Sequence, residues 1–311
     1  MSEDRRRRPR GLAAAAVLIA ASTLVGCSGS DTSAARTVTN VAYGADSPKQ
    51  ELDLYLPERK GGGSTPLVIY IHGGGWSMGD KSQIDDTATS DIKSFKEQLL
   101  SDGYAVASIN YRLTDEAIWP AQIFDVKAAV RYLSAHADQY HLNADRFAAF
   151  GDSAGGHLVA LLTTTNGDPV MEGTVGGTDG SSQVDVGVSF FGAYDLPLMQ
   201  YQAAVKCGPA FGEVGQSKLI GGPVTVEPHL SMASYASPVN HVDSSDAPLL
   251  LLHGTKDCVV AKDQADEMLV KLQQAGVPTE LISLDADHSA KVFFTDKDVV
   301  VQILAFIGDH V

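Results

Sequence analysis

The chain reads as an α/β fold: a mainly parallel central sheet covered by helices on both faces. Three observations predict it. Strand-like apolar runs alternate with amphipathic, helix-like runs along most of the 311 residues. Several of the strand-like runs are continuously apolar rather than alternating, the pattern of strands buried on both faces. One of them, Arg146-Phe147-Ala148-Ala149-Phe150, passes directly into Gly151-Asp152-Ser153-Ala154-Gly155-Gly156-His157 and then into a helix-like run at 158–162, a sharp strand–turn–helix junction.

Composition bounds the rest. The chain is 44% hydrophobic and 20% charged, enough for a large buried core. No internal repeat is visible, and no segment suits a multi-span membrane protein. The first 26 residues stand apart. Arg5 to Arg8 and Arg10 form a basic start, followed at 11–26 by a small-residue apolar run too short for a comfortable membrane span. The run ends in Leu24-Val25-Gly26-Cys27. It resembles a bacterial lipoprotein signal, which implies cleavage before Cys27 and lipid on that cysteine. The plainer alternative is a secretory signal with a coincidental cysteine, and the paired arginines leave a twin-arginine export route open. Residues 27–36 read as a flexible tether rich in Ser, Thr, Ala and Asp, and residues 37–311 as one domain. Without residues 1–26 the chain carries 18 basic and 36 acidic side chains, a net charge of about −18. That field argues against nucleic-acid binding and against spontaneous adhesion to anionic lipid. Membrane association is therefore expected through the lipid on Cys27, at the outer face of the bacterial cell membrane.

The elements of the domain follow in order. Residues 37–43 and 51–56 are two opening strands, the second alternating Leu52, Leu54 and Leu56 with polar positions. Residues 61–64 form a loop and 66–71 a buried strand. Ser90 is placed to cap a helix that runs through Leu100 and stops at Gly103. Residues 104–109 are another buried strand, and 123–140 an amphipathic helix with Val126, Ala129, Val130 and Leu133 on one face. After the junction at Ser153 come strands at 184–190 and 249–252, and a helix at 264–274 closed by Gly276 and Pro278. A strand at 280–284 and a helix at 299–307 end the chain. Two stretches fit neither pattern: a polar, glycine-rich insertion at 167–183 and a longer one at 196–247, long enough for a small lid. Substrate choice usually resides in such surface insertions. Cys207 and Cys258 can pair outside the cytoplasm; the alternative is two buried thiols.

The chemistry starts at Ser153, in Gly-x-Ser-x-Gly. A free hydroxyl is a weak nucleophile at neutral pH and needs a base. Of nine histidines, His288 is best placed, in the loop after the last strand, whereas His157 is too close to Ser153 on the same helix. His136, His141 and His310 sit on or beside solvated helices. The carboxylate that would orient His288 is Asp257, in the loop after the penultimate strand, which completes the chain order Ser, Asp, His. Asp285 and Asp287 read as loop groups, and Asp152 cannot reach the far side of the histidine. His72-Gly73-Gly74-Gly75-Trp76 follows the strand at 66–71 and offers backbone N–H groups without side chains in the way. With the Ala154 N–H, these are candidate donors to an oxyanion. The implied reaction is acyl transfer to water, and it calls for no metal or cofactor.

Together these motifs resemble the α/β-hydrolase superfamily, and within it the esterases and lipases related to hormone-sensitive lipase and the small bacterial feruloyl and acetyl-xylan esterases. The resemblance runs from Leu52-Asp53-Leu54-Tyr55-Leu56-Pro57 to the end. It includes Asn110-Tyr111-Arg112-Leu113, Trp119-Pro120-Ala121 with the following Asp125 to Arg131, and Ala236-Ser237-Pro238. It implies Ser153, Asp257 and His288 as the triad and Gly74, Gly75 and Ala154 as oxyanion donors, with Gly73 a further candidate. Two departures are visible: Ser289-Ala290-Lys291 stands where the family often has Gly and a bulky residue, and Cys258 where it often has proline. Two other functions fit the motifs, an arylformamidase-like amidase of the same fold and a non-catalytic binding lipoprotein on a hydrolase scaffold.

Overall fold

A computed structural model of the protein describes residues 32–88, 90–209 and 215–311. Cys27 and the whole signal-like start lie outside the described residues. Eight strands form the sheet: β1 (Arg36–Ala42), β2 (Glu51–Leu56), β3 (Thr65–Ile71), β4 (Ala105–Ile109), β5 (Leu142–Asp152), β6 (Val186–Phe190), β7 (Leu249–Gly254) and β8 (Thr279–Leu284). Their spatial order is β8-β7-β6-β5-β3-β4-β2-β1. The six strands β3 to β8 pair in parallel, while β2 joins β4, and β1 joins β2, antiparallel. The continuously apolar runs are the parallel strands, as burial on both faces requires.

Alternation of side chains along the strands decides the layers. In β3, Leu67, Ile69 and Ile71 enter one core while Val68 and Tyr70 enter the other. β7 divides its four fully buried leucines the same way, Leu249 and Leu251 against Leu250 and Leu252. The first core is closed by α2 (Ala121–Ala135), α3 (Ala154–Thr164) and α7 (Asp263–Ala275). The second is closed by α1 (Ile92–Ser101) and α8 (Lys297–His310), whose Phe95, Leu99, Ile303 and Phe306 lie among the buried residues there. Each such side chain taken from water contributes about 1.5–3 kcal/mol. The insertion at 196–247 folds into α4 (Leu196–Cys207), α5 (Gln216–Ile220) and α6 (His229–Tyr235).

Several local expectations differ from what forms. The residue at the N-cap of α1 is Asp91, in a left-handed conformation, rather than Ser90. The helix expected over 123–140 ends at Ala135 and resumes for a single turn, Ala137–Tyr140; at the break His136 Nδ1 bonds the Tyr132 carbonyl. The tether expected over 27–36 is held at its end: Thr32–Ser33 pairs antiparallel with Arg59–Lys60, and Arg36 already belongs to β1. Ladder hydrogen bonds are available there because the chain past β2 runs alongside.

The polar insertion at 167–183 is docked rather than loose. Lys127 Nζ, fully buried on α2, donates to the Thr165 carbonyl (2.6 Å) and to Glu172 Oε1 (3.0 Å). Arg131, one turn further, donates to Glu172 Oε2 and to the carbonyls of Glu172, Val175 and Gly177. Removing the Glu172 carboxylate leaves a buried ammonium without its counter-charge, which is far more costly than losing an exposed ion pair. Glu172→Ala is expected to destabilise the fold by roughly 3 kcal/mol, read as a lower urea midpoint; a midpoint equal to wild type would show that the insertion is not held this way.

Candidate active site

The turn between β5 and α3 can form only with glycine on both sides. A Cβ on Gly155 would lie 2.0 Å from the Ile71 carbonyl oxygen, and one on Gly151 would lie 2.7 Å from both that oxygen and the Gly155 backbone. Ser153 itself is left-handed, with φ 54° and ψ −115°, a conformation a non-glycine residue adopts only when its surroundings hold it. The holding contact comes from the neighbouring strand: the Ser153 N–H donates to the Phe190 carbonyl at 2.9 Å.

His288 and Asp257 reach Ser153 from the loops after β8 and β7. His288 Nε2 lies 3.0 Å from Ser153 Oγ, and His288 Nδ1 lies 2.6 Å from Asp257 Oδ2. The two loops are tied together, since the Thr255 N–H donates to the Leu284 carbonyl and the Lys256 N–H to the Ala286 carbonyl. Asp257 is fully buried, and its other oxygen accepts the Val259 and Val260 N–H groups at 2.8 and 2.9 Å. Burial alone would raise its pKa; hydrogen bonds from His253 and His288 outweigh burial and hold the carboxyl well below the usual carboxylate range. It is therefore a carboxylate at neutral pH, ready to accept the histidine's Nδ1–H. Asp285 does not approach the histidine but pairs with Lys256 at the surface.

Beside this line of three lies a cavity of about 490 Å³. Gly74, Gly75 and Ala154 line it together with Ser153 and His288, and Met199, Gly215 and Lys218 from the 196–247 insertion form part of its wall. Gly73 does not line it. Its N–H donates to Asp152 Oδ1 (3.2 Å), which also accepts the Tyr70 hydroxyl (2.8 Å), so of the candidate oxyanion donors Gly73 has its N–H committed elsewhere. A Cβ on Gly73 would sit 2.5 Å from Asp152 Oδ2, which accounts for the first glycine of the run. Gly74 and Gly75 both have positive φ, 108° and 58°.

Both departures from the family pattern have a physical place. Ser289 has φ 59°, the region in which glycine is unstrained, and it lines the cavity. Cys258 is joined to Cys207 at the end of α4, with 5.7 Å between Cα atoms, and so links the Asp257 loop to the 196–247 insertion. Other groups, to which the sequence assigned no role, brace the surrounding loops. Arg112 clamps Asp125 through Nε and a terminal nitrogen, both at 2.8 Å. Tyr111 stacks on His72 and donates its hydroxyl to the His72 carbonyl at 2.9 Å. His253 Nε2 lies 2.8 Å from the Val260 carbonyl and 3.4 Å from Asp257.

The strand order and the site on the carboxyl ends of β5, β7 and β8 define an α/β-hydrolase fold. The BD-FAE family model matches residues 52–272, and the chain belongs to that family. A solved structure titled as the truncated form of a carbohydrate esterase from gut microbiota is 31% identical, with a TM-score of 0.75 over 91% of this chain and 98% of that one. Among curated proteins of Mycobacterium tuberculosis, the probable carboxylic ester hydrolase LipM is 30% identical over 76% of this chain and 51% of its own. Esterase LipC is 30% identical over 75% of this chain and 54% of its own. The chain thus spans about half the length of the curated relatives it matches.

His72 offers a test of how the glycine loop is supported. Burial lowers its pKa to about 4. The unfolded chain takes up this proton near pH 6.5, so the stability that neutral His72 maintains is present above that value and is lost as the pH falls toward 4. Relative to a His72→Phe variant, wild type should lose about 2 kcal/mol of unfolding free energy between pH 7 and pH 5. A difference between the two proteins that does not move with pH would contradict this.

Proposed function

We propose that this protein is a serine ester hydrolase that cleaves small to medium carboxylic esters through an acyl-enzyme on Ser153. The observation that carries the proposal is the line Ser153 Oγ, His288, Asp257, with separations of 3.0 and 2.6 Å, opening on a cavity of about 490 Å³. Ser153 attacks the ester carbonyl while His288 Nε2 takes its proton. Asp257 fixes the imidazole with Nδ1–H toward the carboxylate and stabilises the imidazolium that forms. The oxyanion is received by the N–H groups of Gly74, Gly75 and Ala154. Collapse expels the alcohol, which takes the proton from His288; a water activated by the same histidine then releases the acid.

The cavity is in the range of small-molecule sites and suits a short or medium acyl chain rather than a long one. Similarity to a carbohydrate esterase over nearly the whole of both chains supports a sugar as the alcohol portion. The sequence of residues 1–27 supports export and lipid attachment at Cys27.

Hydrolysis of p-nitrophenyl acetate, butyrate and octanoate, and of an acetylated xylo-oligosaccharide, tests the reading. Ser153→Ala should abolish turnover, and Asp257→Asn should lower kcat about 10⁴-fold by stabilising the wrong histidine tautomer. Wild-type turnover that survives Ser153→Ala, or an Asp257→Asn variant as fast as wild type, would exclude this mechanism.

A further inference from the structure

His157 takes no part in the mechanism above, yet it is fully buried and sits where three parts of the site meet. It lies on α3, one turn after the nucleophile, and its N–H donates to the Ser153 carbonyl at 3.0 Å. Its ring faces elsewhere. The Trp76 indole Nε1–H donates to His157 Nδ1 at 3.1 Å, and His157 Nε2 is 2.8 Å from the Ala236 carbonyl. A carbonyl can only accept, so Nε2 carries the proton and Nδ1 is left as the acceptor the indole requires. Burial lowers the pKa of the ring to about 4, so it stays in that neutral form at ordinary pH.

Trp76 is the residue that ends the glycine loop. It is buried at 2% exposure and left-handed at φ 58°, directly after Gly74 and Gly75 with their own positive φ. Backbone bonds hold the loop's carbonyls, Gly74 accepting from the Ser77 and Met78 N–H groups and Trp76 from the Thr114 N–H, and the indole bond to His157 adds a side-chain anchor at its end. The 196–247 insertion closes on the same loop from the far side. A Cβ on Gly215 would come within 2.6 Å of the Gly75 carbonyl oxygen and 3.2 Å of the Trp76 ring. Ala236, the other partner of His157, also belongs to that insertion and is fully buried.

We propose that His157 is a positioning residue for the oxyanion donors. Through the Trp76 indole it fixes the direction of the Gly74 and Gly75 N–H groups relative to Ser153, and through the Ala236 carbonyl it locks that geometry to the insertion. The effect falls on the transition state, because only there does the oxyanion reach those donors. This rests on the ester-hydrolase reading above.

The test is steady-state hydrolysis of p-nitrophenyl butyrate by the full chain. His157→Leu, which loses both bonds, should lower kcat about 10- to 100-fold with KM within about threefold of wild type. His157→Asn retains an acceptor near the indole and should recover most of the lost kcat. Trp76→Phe removes the donor from the other side. If the two residues act together, the His157→Leu/Trp76→Phe double variant should be little slower than the slower single variant. A folded His157→Leu enzyme with wild-type kcat, a loss confined to KM, or fully additive losses would each overturn the proposal. If His157→Leu does not fold, Trp76→Phe decides alone, and a wild-type kcat there overturns it. A wild type without turnover on any ester overturns the hydrolase reading and this one with it, whereas an active wild type with unaffected variants overturns this one alone.

Discussion

The structure depends on one steric constraint, the approach of the β3 carboxyl end to the start of α3. With 2.0 Å between the Ile71 carbonyl oxygen and the place where a Gly155 Cβ would stand, no side chain fits there. That approach brings the glycine loop after β3 alongside Ser153 and sets the serine in a left-handed turn. The turn is held from both sides: β6 supplies the Phe190 carbonyl to the Ser153 N–H, and Asp152 bonds Tyr70 of β3 and the Gly73 N–H. A strained serine persists only because its neighbours over-determine its position. The central position of β5, between β3 and β6, is what makes both neighbours available.

Buried polar groups carry the next layer of the design. Asp257 has no exposure, yet both its oxygens are engaged, Oδ1 by two backbone N–H groups and Oδ2 by His288, with His253 Nε2 a further 3.4 Å away. A buried charge so fully hydrogen-bonded can stay ionised without solvent. The same logic operates away from the site, where Arg112 with Asp125 and Lys127 with Glu172 bind loops to α2. Some of the strongest tertiary ties therefore begin from charged residues on a helix that a simple periodicity assigns to the surface.

This explains what was legible in the sequence and what was not. The eight strands and the helices at the sheet faces could be read because burial on two faces, or on one stripe, leaves a periodic apolar signature. Ser153, His288 and Asp257 could be named because each follows a strand in a parallel sheet, which brings their loops to one edge. Lys127 and Arg131 were unreadable, since a buried Lys paired with Glu172 looks in sequence like any solvated helix residue. The four residues by which β5 extends ahead of Arg146 escape a sequence reading because Asn143, Ala144 and Asp145 are poor strand formers, and they fall in the irregularity between the Thr65–Leu142 and Leu67–Phe147 pairs. The commitment of the Gly73 N–H to Asp152 depends on two chain segments 79 residues apart, and no local pattern carries it.

The most direct test of the central claim is the reaction of the folded wild-type chain with a fluorophosphonate at neutral pH, with the adduct located by peptide mass spectrometry. An activated serine held against a histidine base predicts stoichiometric phosphonylation on Ser153, slowed sharply when His288 is replaced by Ala. Absence of an adduct on the folded protein, or an adduct on another serine with Ser153 unmodified, would contradict the account.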